Sequence, residues 1–369
     1  MVGINKLYLI AIIVLTGCSQ QSPEDIAQQS LIIDTHIDTP YRIKADLDTS
    51  GEYENIALET NYDFDYSRAI TGGLNVPFFS IYLPAQTEEE GTSFTLANEL
   101  IDLMNSIISQ NNDKFFFVDT STYLGNLPGQ NLIGIAYGME NGAALEGNLS
   151  NVRYFYNKGI RYITLTHAKS NHISDSSYDT NKQWGGLSEF GKTLIPEMNR
   201  VGIIVDISHV SDPAFMEAIE LSNTPVIASH SSLRHFTPGW ERNVSDEMLI
   251  ALASKGGVIQ INFGTAFLTD INDRSVGYDP NTYMHADVSD VADHIDRVVE
   301  LVGIDHVGIG SDYDGVGDTL PNNLKDVSSY PNLIAELQKR GYSTRDIQKI
   351  LGENFARVWR EVEEYARNS

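Results

Sequence analysis

The sequence predicts a (β/α)8 barrel, and three observations carry that expectation. Apolar runs of strand length recur from about residue 30 onward, and amphipathic segments of helical period separate them. Run after run ends in a histidine or a carboxylate, which is how a barrel gathers its working groups at the C-terminal rim. A doubly wound open sheet is the structural alternative on pattern alone.

The predicted strands are 31–36, 73–82, 132–138, 160–166, 202–208, 225–229, 256–263 and 306–311. The first opens on Leu31-Ile32-Ile33, and a side-chain period of two puts His36 and Asp38 on one face at its end. Between strands, Phe94 to Ile108 reads as a helix, with Phe94, Ala97, Leu100, Ile101, Met104, Ile107 and Ile108 on one stripe. Val288 to Val302 and the C-terminal stretch Thr344 to Ala366 read the same way. The insertions around 40–70 and 265–290 are expected as loops and short helices over one end of the barrel. No repeat, low-complexity tract or linker divides residues 30–369, so one domain is expected there.

The start of the chain reads as a targeting segment. Lys6 precedes the apolar stretch Leu7 to Leu15, too short to span a bilayer, and small residues follow. Leu15-Thr16-Gly17-Cys18 resembles the lipobox of bacterial lipoproteins. That implies a signal over 1–17, acylation of Cys18 and a lipidated tether over 18–29. Ser19 in place of Asp goes with outer-membrane sorting, so the expected location is the cell envelope of a Gram-negative-type bacterium, facing the periplasm. Cys18 is the single cysteine, and its lipidation leaves no disulfide. Stability must then come from a large core. The chain has 25 basic and 50 acidic side chains, net −25; losing Lys6 with the signal gives −25 − 1 = −26. Such a surface argues against nucleic acid and against lying flat on anionic lipid.

Read in order, the strand ends deliver His36 and Asp38, Glu140, His167, His209, His230, and Asp312 with Asp314. The second strand ends without a candidate, and the seventh ends at Asn262-Phe263-Gly264. Imidazoles and carboxylates together suit a divalent metal, and this inventory exceeds the three protein ligands of a mononuclear catalytic zinc. Two-metal hydrolytic sites need a bridging carboxylate, and Glu140 suits the bridge because Gly138 and Gly142 allow close backbone approach. His36 and Asp38 would complete one ion, His209 and His230 the other.

From about residue 30 to its end, the chain resembles the membrane (renal) dipeptidase family of zinc peptidases, family M19, within the amidohydrolase-like barrels. The resemblance is carried by Ile33-Asp34-Thr35-His36-Ile37-Asp38-Thr39-Pro40, Gly138-Met139-Glu140-Asn141-Gly142 and Tyr162-Ile163-Thr164-Leu165-Thr166-His167. It continues through Asp206-Ile207-Ser208-His209-Val210-Ser211, Ser229-His230-Ser231-Ser232, Arg242-Asn243-Val244 and Gly310-Ser311-Asp312-Tyr313-Asp314-Gly315. It implies two Zn2+ bridged by Glu140, with His36 and Asp38 on the first and His209 and His230 on the second. It also implies that His167 contacts the substrate near the scissile carbonyl, that Arg242 holds the terminal carboxylate, and that Asp312 transfers protons. Asp314 is expected to be structural. His172, His235, His285, His294 and His306 match no functional family position and are expected at the surface or as supports of the site.

The expected reaction is hydrolysis of short peptides through a metal-bridging hydroxide. Family members often accept a D-residue at the C-terminal position, and some open β-lactam rings of the dehydropeptide type. A dipeptide or peptide-like substrate, a lipid anchor in the membrane, no nucleic acid and a homodimer are the expected partners. Some animal members carry tyrosine where this chain has Gly264, which is expected to widen the pocket there. Nitrogen and oxygen ligands accept zinc, manganese or cobalt alike. The alternatives are another small acyl or lactam substrate on the same scaffold, and an inactive ligand-binding lipoprotein.

Overall fold

In the computed structural model, residues 21–369 are described. The predicted signal and the Cys18 acylation point lie outside the described residues. Nine parallel strands form the sheet: β1 (Ile33–Ile37), β2 (Val76–Tyr82), β3 (Phe115–Phe117), β4 (Ile133–Glu140), β5 (Ile160–Thr164), β6 (Ile204–Asp206), β7 (Ile227–Ala228), β8 (Val258–Ile261) and β9 (Val307–Ile309). They pair in the order β2-β1-β9-β8-β7-β6-β5-β4, and β2 pairs with β4, so eight strands close into a barrel. Each of these eight falls within or beside a predicted run. The ninth strand, β3, was not predicted. It is three residues long and pairs only with β4, from Phe115↔Ile133 to Phe117↔Ile135. A run that short carries no readable period.

Two apolar layers hold the barrel. Its lumen is filled by Ile33, Val76, Ile204, Ile227 and Val258, each the first residue of its strand, together with Phe78, Ala136 and Tyr162. The C-terminal helix Asn354–Asn368 closes this N-terminal end. Its Phe355 and Trp359 meet the Phe78 ring edge-on at 5.0 and 5.2 Å. The opposite end stays open for chemistry. The second layer lies between the strands and the surrounding helices. Among these, Ser93–Gln110 and Val288–Val302 match the predicted segments, and the first buries its predicted stripe apart from Phe94, which is partly buried.

The predicted C-terminal helix is not continuous. A π-helical turn at Lys349–Glu353 separates Thr344–Gln348 from Asn354–Asn368. The turn lies against the entry to β1: a Cβ on Gly352 would lie 2.6 Å from the Leu31 carbonyl oxygen and 3.0 Å from the Ile33 amide nitrogen. The 40–70 insertion forms helices Thr39–Ser50 and Tyr66–Gly72, and the 265–290 insertion forms one short helix, Thr265–Leu268.

His294 corrects the expectation of a surface or supporting histidine. It is fully buried, with Nδ1 accepting from the Leu233 amide at 3.0 Å and Nε2 3.1 Å from the Leu268 carbonyl. Burial lowers its pKa to about 4, which marks it as a neutral core residue.

Candidate metal centre

β1 reaches the site through an irregularity. Its register against β2 slips between Asp34 and Ile37, a bulge that re-aims side chains. Asp34 accepts from the Tyr330 hydroxyl of the outer helix Tyr330–Lys339 at 2.6 Å, whereas the His36 ring stacks on His230 at 3.7 Å. Residues two apart thus point to opposite sides. Asp38 stands beyond the strand, as the N-cap of helix Thr39–Ser50. His36 and Asp38 do meet, with Nε2 3.5 Å from Oδ2, but a bulge and a helix start bring them together rather than strand alternation.

Glu140 ends β4 and lies at the centre. Its Oε1 is 3.1 Å from His209 Nε2 and 3.2 Å from His230 Nε2, and those two nitrogens are 2.7 Å apart. Its Oε2 is 3.5 Å from His36 Nε2, which is itself 3.5 Å from Asp38 Oδ2. Ligand atoms about 2.0–2.1 Å from a tetrahedral ion are about 3.3 Å from one another. The contacts of Glu140 and of His36 with Asp38 match that edge, and the His209–His230 pair, at 2.7 Å, would have to spread to admit an ion. His167 Nε2 lies 3.5 Å from Glu140 Oε1, and Asp312 groups with His36 and Asp38, their ligand atoms within 4.8 Å of one another. Buried His36 Nε2 and Asp38 Oδ1 have no hydrogen-bond partner, as expected of atoms reserved for a cation. The residues fit a metal.

Hydrogen bonds behind the site fix which nitrogen faces it. Tyr162 donates its hydroxyl to the Thr35 carbonyl at 2.8 Å and so accepts from His36 Nδ1–H at 3.0 Å, leaving Nε2 as the lone pair. Ser229 Oγ donates to Asp206 at 2.6 Å and lies 2.7 Å from His230 Nδ1, with the same result. The chain makes room for this support. A Cβ on Gly138 would fall 1.9 Å from the Tyr162 ring, so Gly138 serves Tyr162 rather than close approach to Glu140 alone.

The charges agree with this geometry. Burial would push Glu140 up, but the neighbouring His167 and His36, with the His209 and His230 rings beside its Oε1, hold it well below the usual range. Burial and neighbouring Arg242 keep His209 neutral; burial and His36 do so for His230. Neutral His209 and His230 beside an ionised carboxylate suit a divalent cation. At His36, by contrast, burial is outweighed by Tyr162, Glu140 and Asp38, which raise it, and a bound cation would displace its proton. Asp312 is pushed up to about 7 by burial and by Asp38. Asn262 Nδ2 donates to its Oδ2 at 2.7 Å, so the seventh predicted strand end contributes after all. His209 (φ 69°) and Asp312 (φ 67°) both sit in the left-handed region, strained backbone of the kind that clusters at functional sites.

The cavity above these residues has a volume of about 670 Å³. His167, Asp312 and Asp314 line it; Arg242 and Gly264 do not. Arg242 is buried behind His209, giving Nη1 to Ser231 Oγ at 2.8 Å and Nη2 to the His230 carbonyl at 2.8 Å and His209 Nε2 at 3.0 Å. Gly264 does not widen the pocket. Phe267 and Val316 fill the space beside it, each 3.0 Å from where its Cβ would be, and both line the cavity. Asp314 accepts from Thr39 Oγ1 at 2.5 Å and from the Asp63 amide at 2.7 Å, a structural role within the cavity wall.

Sequence reasoning missed Tyr162, Ser229, Asn262 and Gly315 as parts of the site. A Cβ on Gly315 would lie 2.1 Å from Asp38 Oδ2 and 2.2 Å from Asp312 Oδ1. The polar strand-end Asn262 was the one readable signal among them.

A (β/α)8 barrel with histidines and carboxylates converging at its C-terminal rim defines a metal-dependent hydrolase. Residues 20–369 match the family model described as membrane dipeptidase, peptidase family M19. An uncharacterized dipeptidase of Schizosaccharomyces pombe is 34% identical over 359 residues, covering 94% of this chain and 83% of that protein. Dipeptidase 3 of Mus musculus is 32% identical over 342 residues, 92% of this chain and 66% of the mouse protein. Among solved structures, the probable dipeptidase PvdM from Pseudomonas aeruginosa superposes with a TM-score of 0.82 at 25% identity, covering 93% of this chain and 98% of that one. The chain belongs to the membrane dipeptidase family, M19, and is a metallodipeptidase.

Proposed function

We propose that this metallodipeptidase is binuclear, with two zinc ions sharing Glu140. His36 and Asp38 complete one ligand set, and His209 and His230 the other. The observation that carries this reading is the division of Glu140 between two clusters, Oε1 toward His209 and His230 and Oε2 toward His36. Bound there, the ions would acidify a shared water toward neutral pH and polarise the peptide carbonyl.

The chain's own groups do the rest. Burial holds His167 below the usual histidine range, so its neutral ring donates an N–H to the oxygen that gains charge. Asp312, oriented by Asn262, accepts a proton and returns it to the leaving amine, which cannot depart as an anion. Arg242 holds the substrate's terminal carboxylate on the strength of the family resemblance, which requires its guanidinium to turn from Ser231 and His209 toward the cavity. The family resemblance supports short peptides with either an L- or a D-residue at the C-terminal position.

The test is metal titration of stripped protein against a dipeptide panel. Hydrolysis should saturate at two equivalents of zinc per chain; saturation at one refutes the binuclear reading.

We further propose lipid anchoring through Cys18, in the envelope and facing the periplasm, on the strength of Leu15-Thr16-Gly17-Cys18. Among the described residues no helix is long and apolar enough to cross a membrane.

A further inference from the structure

The cavity wall is acidic, with Asp38, Glu140, Asp312 and Asp314 all on it. Among the described residues, one lysine or arginine lines that cavity: Arg42. It stands four residues after Asp38 on helix Thr39–Ser50, one turn on and on the same face. Its guanidinium is held from three sides. Nη1 lies 3.2 Å from Asp314 Oδ1, Nη2 lies 3.5 Å from the Asn61 carbonyl, and the plane sits over the Tyr62 ring at 4.7 Å.

Offsetting the charge of Asp314 and neighbouring Asp63 does not exhaust the donors of Arg42. Asp314 already accepts from Thr39 and from the Asp63 amide. Arg42 has five N–H donors, its contacts with protein use two of them, and 36% of the side chain remains exposed. A planar fork fixed in advance loses little freedom when it binds a carboxylate. Arg42 follows β1 and Arg242 follows β7, three strands round the ring. Arg42 thus offers a positive group on the cavity wall itself, apart from Arg242, which is buried behind His209.

We propose that Arg42 binds a side-chain carboxylate of the substrate and so selects dipeptides containing one acidic residue. The inference rests on the dipeptidase reading and adds a substrate class to it.

The test compares KM and kcat for Ala-Ala, Ala-Glu and Glu-Ala in wild type, Arg42→Gln and Arg42→Lys, with thermal unfolding of each. The ratio of KM for the better acidic dipeptide to KM for Ala-Ala should rise about tenfold or more in Arg42→Gln, with a smaller rise in Arg42→Lys. An equal KM rise for Ala-Ala overturns the proposal, since it would put Arg42 on the carboxylate every dipeptide carries. A fall in kcat alone, equal across the three, makes Arg42 a support of the helix and also overturns it. If Arg42→Gln does not fold, the wild type decides: added salt should raise KM for the acidic dipeptide more than for Ala-Ala, and equal rises overturn the proposal. Hydrolysis of none of the three by the zinc-loaded wild type would instead defeat the dipeptidase reading.

Discussion

Gly315→Ala is the sharpest test of the site's geometry. The added carbon would lie 2.1 Å from Asp38 Oδ2 and 2.2 Å from Asp312 Oδ1. Carbon and oxygen not bonded to each other come no closer than about 3.3 Å, so each carboxylate must retreat by about 1 Å. Metal–ligand distances tolerate about 0.2 Å. A retreat several times larger takes Asp38 out of ligating position and turns Asp312 away from its task. Misplacement on this scale costs about a hundredfold in rate. The fold should survive, because the atoms displaced are the ends of side chains and Gly315 does not occupy the left-handed region. The assay is metal content, kcat/KM on a dipeptide and thermal unfolding, with Gly125→Ala as a control, since nothing lies within 4 Å of its Cβ position. A Gly315→Ala protein with full metal content and kcat/KM within about twofold of wild type would refute the reasoning.

Asp312 gives a pH signature in metal-free protein. Its folded pKa of about 7 lies above its ordinary 3.8, so its contribution to stability is full below 3.8 and is lost as pH rises through 7. Asp312→Asn should therefore gain stability relative to wild type between pH 4 and 8, by about 4 kcal/mol at most, at about 1.4 kcal/mol per tenfold. A difference in unfolding free energy that stays flat across that range would contradict the assignment. Cys18→Ser should abolish palmitate labelling and release the protein from the membrane fraction; labelling retained in the variant would rule out the anchor.

The strand ends were legible because each pairs an apolar run with a group that has no business in a core. His36, Glu140, His209, His230 and Asp312 all announce themselves this way and do converge. What supports them was not legible. Tyr162 looks like one more buried aromatic of β5, and only its neighbour Gly138, across the strand pairing, makes its hydroxyl available to His36. The meeting of His36 and Asp38 was foreseen through the wrong cause, since a bulge in β1 leaves no mark in side-chain alternation. Gly264 misled because a missing side chain was read as empty space, while Phe267 and Val316 occupy it from elsewhere in the chain.

The pairing of β1 with β9 makes the order of synthesis matter. His36 leaves the ribosome early, but the Asp312 amide that bonds its carbonyl, and the helix that stoppers the lumen beneath it, come near the end. A truncated or half-made chain therefore holds most of the ligands and none of the assembled pocket. The pocket takes shape only once β9 and the closing helix join the earlier strands.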